Sequence, residues 1–191
     1  SGNRVVARLV ERWQFGLIYN YFTGSPFGLA SGISSFNQFT DNTPTLVGPV
    51  AANIGKIKRV DNGVVYFEGL KQVADPSIAG LTTALRSLAT LQAITDANGN
   101  LLLTNPLPGV LGNTQQFSFL TGPSSFRFDL NLIKQIRFRE KANFEMRVDA
   151  INVLNTPQFG TPNADINSTN FGRITTAGGS RLFAASLRVN F

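Results

Sequence analysis

Two consecutive stretches, residues 126–138 and 142–154, alternate apolar and polar side chains with a period of two. This period is typical of a β-strand that has one apolar and one polar face. In the first stretch only Lys134 interrupts the apolar row. The even positions form the apolar row, which includes Phe126, Phe128, Leu130, Leu132, Ile136, Phe144, Met146 and Val148. The odd positions carry the charged residues Arg127, Asp129, Arg137, Glu145, Arg147 and Asp149.

Arg139, Glu140 and Lys141 separate the two stretches and are too polar and too few to be anything but a hairpin turn. Even positions must face even positions across the hairpin, because a shift of one residue would turn the charges onto the apolar face. We therefore predict a loop with an odd number of residues, three or a bulged variant. Residues 181–191 repeat the alternation and end on Phe191 in the apolar row.

Two further strands are predicted near residues 4–10 and 13–22. The second carries Trp13 at one end of its apolar row and Tyr19 and Tyr21 at the other. Aromatic rings at both ends of an outward-facing row are typical of a strand that crosses a bilayer. A half-buried strand of a soluble β-sandwich explains this stretch equally well.

Residues 23–116 show no sustained alternation and are rich in Gly, Asn, Thr and Pro, which predicts a long loop. Asp75 and Pro76 resemble a helix N-cap and its first residue, and leucines follow at helical spacing, so we predict one short helix near 76–95. Two groups of acidic and amide residues could bind calcium, but ordinary Asx turns explain them better. They are Asp96, Asn98 and Asn100, and Asp165, Asn167 and Asn170.

Composition narrows the possible functions. Only 15% of the residues are charged, well below the ~25% of an ordinary soluble domain. No run reaches the ~20 apolar residues of a membrane helix, so insertion into a membrane requires strands. The absence of Cys and His removes disulfides, thiol chemistry and imidazole catalysis, and no nucleophile is paired with a base. We therefore predict a protein that is not an enzyme and has no cofactor and no catalytic or metal site.

The formal net charge of +6 does not indicate a nucleic-acid partner, because the Arg and Lys residues are spread singly along strands instead of being clustered. The predicted fold class is all-β: an antiparallel meander of about five long amphipathic strands, part of an outer-membrane-type barrel, with one long loop region carrying a short helix. The strands are expected near 4–10, 13–22, 125–138, 142–154 and 181–191, in a single segment covering 1–191.

Several motifs carry a resemblance to a known family. They are Trp13 with residues 23–27, residues 105–109, 112–113, 122–123 and 128–130, Lys134, Arg147, residues 152–155 and 157–160, Asn163, residues 171–174 and Phe191. Together they resemble the C-terminal barrel end of TonB-dependent outer-membrane receptors, and most of all the Oar-like receptors of the carboxypeptidase-regulatory-like type that are abundant in Acidobacteria. The likeness covers the first 27 residues and about the last 90.

The resemblance implies a closed barrel of about 22 antiparallel strands with long outer loops and a plug. It implies that the six charged residues of the odd row face the lumen and that the even row faces lipid. It also implies that Leu187, Val189 and Phe191 are the signal read by the barrel-assembly machinery. The expected partners are outer-membrane lipid and the remaining strands and plug of a parent chain, in the outer membrane of a Gram-negative bacterium.

The sequence departs from this family in having no recognisable signal peptide, energy-coupling box or plug, and we expect it to be a piece of a longer precursor. Five strands cannot close a barrel, and an open edge in lipid leaves backbone groups unpaired at a cost of several kcal/mol each. Two functions remain open. The chain is the wall of a receptor whose other strands lie elsewhere, or it pairs its edges with copies of itself in an extracellular filament or tube.

Overall fold

The computed structural model describes residues 2–33, 41–50, 54–61, 63–78, 91–114, 120–137 and 142–191. Helical structure in these residues is limited to the helix α1 (Gly2–Val10) and a short 3-10 helix (Pro76–Ile78). The strands are β1 (Trp13–Phe22), β2 (Pro26–Phe27), β3 (Thr45–Leu46), β4 (Lys58–Val60), β5 (Gly63–Val65), β6 (Lys71–Ala74), β7 (Gln92–Thr95), β8 (Leu101–Thr104), β9 (Leu120–Thr121), β10 (Ser125–Arg137), β11 (Asn143–Ile151), β12 (Gln158–Phe159), β13 (Arg173–Ile174), β14 (Ala177–Gly178) and β15 (Leu182–Asn190). The predicted all-β class is confirmed.

The chain divides into two compact units where a single segment was predicted. The first, which we call the sheet unit, comprises Ser1–Phe22, Ser124–Gln158 and Ala177–Phe191. The second, the loop unit, comprises Thr23–Pro123 and Phe159–Thr176. The stretch predicted to be a loop therefore contributes most of a folded unit.

The sheet unit is an antiparallel sheet of four long strands in the order β1-β10-β11-β15. One row across it reads Phe15, Leu132, Val148 and Ala185, so the even positions of β10 and β11 face each other as predicted. Arg137 lies opposite Asn143, whereas the predicted hairpin turn 139–141 lies outside the described residues.

The strand predicted near residues 4–10 is wrong, because residues 2–10 form α1. A stretch of seven residues is too short for apolar spacing to distinguish the two structures. Here Val6, Leu9 and Val10 fall on one helical face, and the amide of Glu11 donates to the carbonyl of Ala7 at 2.8 Å. Arg12 then adopts a left-handed conformation with φ of 59°, which ends the helix and starts β1.

The loop unit has its own core, made of short strands and the residues that follow them. Its largest sheet has the order β3-β8-β7-β6, and β13-β5-β4 forms another. Ile94 and Leu103 are almost fully buried between these elements. The other core residues are Leu29, Tyr66, Phe67, Leu102, Leu120, Ile166 and Ile174.

The predicted helix near 76–95 is only partly correct. Asp75 accepts hydrogen bonds from the amide and hydroxyl of Ser77 at 2.9 and 2.7 Å, as an N-cap does, but the helical turn after it spans Pro76–Ile78. Residues 79–90 lie outside the described part of the chain. Residues 92–95 are strand β7 and not helix, because pairing with β6 and β8 buries Ile94 completely.

Buried polar side chains join distant segments of the loop unit. The carboxylate of Asp75 accepts from the amide and the side-chain nitrogen of Asn105 at 2.6 and 2.8 Å. The side-chain oxygen of Asn105 in turn accepts from Asn167 at 2.7 Å. Because the side chains of Asp75 and Asn105 are hydrogen-bonded, this network links residues far apart in sequence without an uncompensated desolvation cost for these two buried groups.

A close backbone contact explains the glycine of the Gly24-Ser25-Pro26-Phe27 motif. A Cβ atom at Gly24 would lie 1.7 Å from the carbonyl oxygen of Gly122, so no other residue fits without moving the chain. The amide of Gly122 donates to the carbonyl of Ser25 at 2.9 Å, beside the β2–β9 pair.

Candidate functional site

The register of the four long strands places the eight even-row residues from Phe126 to Val148 on one side of the sheet, which we call the apolar face. The even row of β10 and β11 shares it with alternate residues of β1 and β15. Its members are Trp13, Phe15, Leu17, Tyr19, Tyr21, Phe126, Phe128, Leu130, Leu132, Ile136, Phe144, Met146, Val148, Ala150, Phe183, Ala185, Leu187 and Val189.

This face is not covered by a protein core. Phe15 is 67% exposed and Leu187 is 69% exposed. Among the described residues of the sheet unit, Ala150 is the one buried apolar residue. An exposed apolar surface that runs the length of four strands is far larger than the patches soluble monomers leave in water. It therefore indicates contact with lipid or with another protein surface.

Strand length and aromatic placement both suit a bilayer. β1 has ten residues, within the ~9–11 that a tilted strand needs to cross the hydrocarbon core. Trp13 lies at one end of its row, and Tyr19 and Tyr21 lie at the other, beside Phe128 and Phe126. The rings of Tyr19 and Phe128 are 4.7 Å apart. Outer-membrane barrels carry such aromatic residues at both interfaces.

The opposite side of the sheet, the polar face, carries the six charged residues predicted to face the lumen. Their ion pairs run along a strand and not between neighbouring strands. The guanidinium of Arg127 lies 3.0 Å from Asp129, and that of Arg147 lies 2.8 Å from Asp149. The reason is the register, which places Arg147 opposite Ile133.

Side-chain amides supply the bonds across the strands of the polar face. Asn131 donates to Asp149 at 2.5 Å, and Gln135 donates to Glu145 at 2.9 Å. Arg137 is diagonal to Glu145, because Gln135 lies directly opposite Glu145. The register also brings Arg188 opposite Glu145, a charge pair that was not predicted. Such a lattice of paired charges and amides stiffens the polar face.

Lys134, the one charge in the apolar row, has a specific structural role that the sequence did not reveal. Its side chain is 3% exposed, and its ammonium donates to the carbonyl of Leu9 at 3.0 Å and to that of Glu11. It also lies 5.0 Å from the ring centre of Trp13. The cation thus caps the carbonyl end of α1 and holds the helix at the end of β10. The interrupted alternation was the only available signal.

Asn152 fixes the end of β11. It is fully buried, with φ of 50°, and its amide donates to Asp129 at 2.8 Å. Its side chain accepts from the amide of Thr156 at 3.1 Å and donates to the carbonyls of Thr156 and Gly179. The left-handed backbone and the hydrogen bonds of Asn152 end β11 at Ile151, whereas the predicted strand extends to residue 154.

Leu187, Val189 and Phe191, the predicted assembly signal, lie at the end of the chain. Leu187 and Val189 are on the apolar face of β15, and Phe191 follows it and is fully exposed. β15 pairs with β11 on one side, and no described strand lies on its other side. The three side chains are therefore accessible, and their role as a signal stays a prediction.

The loop unit holds a cavity of about 640 Å³ whose lining includes Val47, Leu70, Glu68 and Asp96. Glu68 is paired with Lys58. The side-chain and backbone nitrogens of Asn100 each donate a hydrogen bond of 2.8 Å to the carboxylate of Asp96. These bonds lower the pKa of the Asp96 carboxyl. Both carboxylates thus have structural partners, and the Asp96 group is the Asx turn that was favoured over a calcium site.

Comparison with known proteins agrees with this geometry. A family model described as outer membrane beta barrel domain matches residues 1–184. No curated protein and no solved structure matches the chain. No helix in the described ranges is long and apolar enough to cross a membrane. The match extends over nearly the whole chain, and the chain therefore belongs to the outer membrane β-barrel domain family, whose members contribute the wall of a barrel in the outer membrane.

Proposed function

We propose that the chain is the C-terminal part of a TonB-dependent outer-membrane receptor of the Oar-like type, in a Gram-negative bacterium. The observation that supports this most is the continuous exposed apolar face of the sheet, backed by a face of paired charges. In this proposal the apolar face contacts lipid and the polar face lines the lumen. The receptor type rests on the sequence motifs, which resemble that family.

The connections between strands give the sheet an orientation. β1 ends at Phe22 opposite Ser125, and β11 ends at Ile151 opposite Leu182, so both long connections leave from one end of the sheet. The short connection between Arg137 and Asn143 is at the other end, together with the C-terminus. Outer-membrane barrels have long extracellular loops and short periplasmic turns. We therefore assign the end bearing Trp13 to the periplasmic side.

The proposed role is structural and transport-related, not enzymatic. The proposed partners are outer-membrane lipid, the remaining strands and plug of a parent chain, and the barrel-assembly machinery reading Leu187, Val189 and Phe191, with no nucleic acid. An outer-membrane barrel needs at least 8 strands to close. In the described part of the chain β1 and β15 are edge strands, so further strands must pair with them.

The edges of β1 and β15, unpaired within the described strands, also support a second function, in which copies of this chain assemble into an extracellular filament or tube. β15 is exposed along its whole length, and an exposed edge can pair with another strand. In a filament the apolar face would be buried between subunits and not in lipid.

A flotation experiment separates the two functions. The chain is refolded from denaturant in the presence and absence of phosphatidylcholine vesicles, and each sample is centrifuged through a density gradient and viewed by electron microscopy. We expect strand-rich protein that floats with vesicles and resists alkaline extraction, with no regular polymer when lipid is absent. Regular filaments without lipid, together with protein that does not float, would contradict the receptor proposal and support the filament.

A further inference from the structure

We propose that α1, with the cleft beside it, is an interfacial anchor that binds anionic phospholipid headgroups at the periplasmic end of the sheet. This inference rests on the proposed membrane orientation of the sheet and adds to it a binding site and a ligand class. Three features carry it: an exposed apolar helix face, a cleft lined by arginines, and a strained arginine where the helix meets β1.

The helix has an unpartnered apolar face. Val6, Leu9 and Val10 occupy positions i, i+3 and i+4 and are 59%, 60% and 70% exposed. Side chains at this spacing lie next to each other on one face. Trp13 and Phe15 on the apolar face of the sheet, both exposed, follow α1 directly in the chain. A helix with these features lies in the plane of a membrane interface and buries its apolar side at the headgroup boundary.

The cleft beside the helix is basic. It has a volume of about 200 Å³ and is lined by Arg8, Arg12, Arg137, Glu11, Gln135 and Ile136. Arg8 and Arg12, which belong to α1 and to its end, supply the guanidinium groups of the proposed site, and neither forms an ion pair with a described residue. Arg137 belongs to the polar face assigned to the lumen and is not part of the site. Guanidinium binds phosphate through two parallel hydrogen bonds, which makes arginine the preferred residue for this ligand. The charge of the cleft therefore fits an anionic phospholipid headgroup.

Arg12 supplies the third observation. Its φ of 59° is in the left-handed region, where glycine ends most helices and a side chain adds strain. Helix termination alone favours glycine at this position, whereas an arginine also brings a guanidinium to the cleft. The capped helix end beside it, held by Lys134 and by the bond from Trp13 Nε1 to the carbonyl of Leu9 at 2.9 Å, fixes Arg12 at the cleft.

Trp13 is the single tryptophan of the chain and adjoins Arg12, so its fluorescence reports on the lipid next to the cleft. The whole chain is inserted into phosphatidylcholine vesicles and into vesicles that also contain phosphatidylglycerol, with bromine-labelled chains on either lipid. We expect labelled phosphatidylglycerol to quench Trp13 more than labelled phosphatidylcholine does at equal membrane content. The ratio of the two gives the relative affinity for the anionic lipid.

Three variants test the assignment. Arg12→Gly removes the guanidinium and relieves the backbone strain, so we expect unchanged folding and a relative affinity about fivefold lower. The double variant Arg8→Gln with Arg12→Gly is expected to lower it further. Arg59→Gln, an exposed arginine of β4 in the loop unit, is the matched control and is expected to leave it unchanged.

The outcomes distinguish this inference from the proposed function. Insertion into both vesicle types with equal quenching by the two lipids, or with a preference that survives in all the variants, overturns the anchor and leaves the barrel wall intact. Failure to insert into either vesicle type contradicts the barrel wall and the anchor with it.

Discussion

Replacing Ala185 with Arg is expected to make membrane insertion less favourable by about 2–4 kcal/mol, the cost of a cation on the lipid face near mid-bilayer. Ala185 lies in the row of Phe15, Leu132 and Val148, near the middle of the sheet. The new guanidinium would face hydrocarbon with no partner in that row. The measurement is the fraction of folded, vesicle-inserted protein over a urea titration, compared with the unmodified chain.

Ala184 offers a control with the same substitution one residue away. It is exposed like Ala185, but it lies on the polar face opposite Asp149. Ala184→Arg therefore introduces the same side chain where a carboxylate and the aqueous lumen are available, and we expect a change in insertion below about 1 kcal/mol. Equal losses for the two variants would contradict the assignment of the faces.

The second large effect is expected in the loop unit. Ile94 is completely buried in its core, where it contributes to the packing of β7 against neighbouring strands. Ile94→Ala removes three carbon atoms and leaves a cavity, and such changes destabilise a core by about 2–5 kcal/mol. We expect faster amide hydrogen exchange in peptides covering β7 and β8, while the strands of the sheet unit exchange as before.

Ile57→Ala is the matched comparison, because it deletes the same atoms from an exposed side chain of the same unit. We expect its exchange pattern to match that of the unmodified chain. If both substitutions accelerate exchange alike, or neither does, the loop unit lacks the packed core described above.

The long strands could be predicted because their apolar period of two extends over nine or more residues. β1 has the bounds predicted, and β10, β11 and β15 differ from the prediction by one to three residues at their ends. The same pattern predicts that even positions of β10 lie opposite even positions of β11, because a slip by one residue would reverse both faces.

The errors arose where local patterns are short or depend on tertiary contacts. Residues 4–10 alternate like a strand, but the carbonyl of Leu9 in that stretch accepts a hydrogen bond from Lys134, more than a hundred residues away in sequence. Gln92–Thr95 became a strand because pairing and burial of Ile94 outweighed the helical spacing of the leucines before it. The alternation places the charged residues on one face but does not determine their partners, which depend on side-chain reach along β10 and β11.

A spin-label scan of β11 tests the central claim most directly, that one face of this sheet contacts lipid and the other does not. The chain has no cysteine, so single cysteines at positions 143–151 can be labelled without background. In vesicles we expect collision with oxygen, which concentrates in lipid, to peak at positions 144, 146 and 148. Collision with a water-soluble nickel chelate should peak instead at 145, 147 and 149. The inverse alternation, or no alternation at all, would contradict the account.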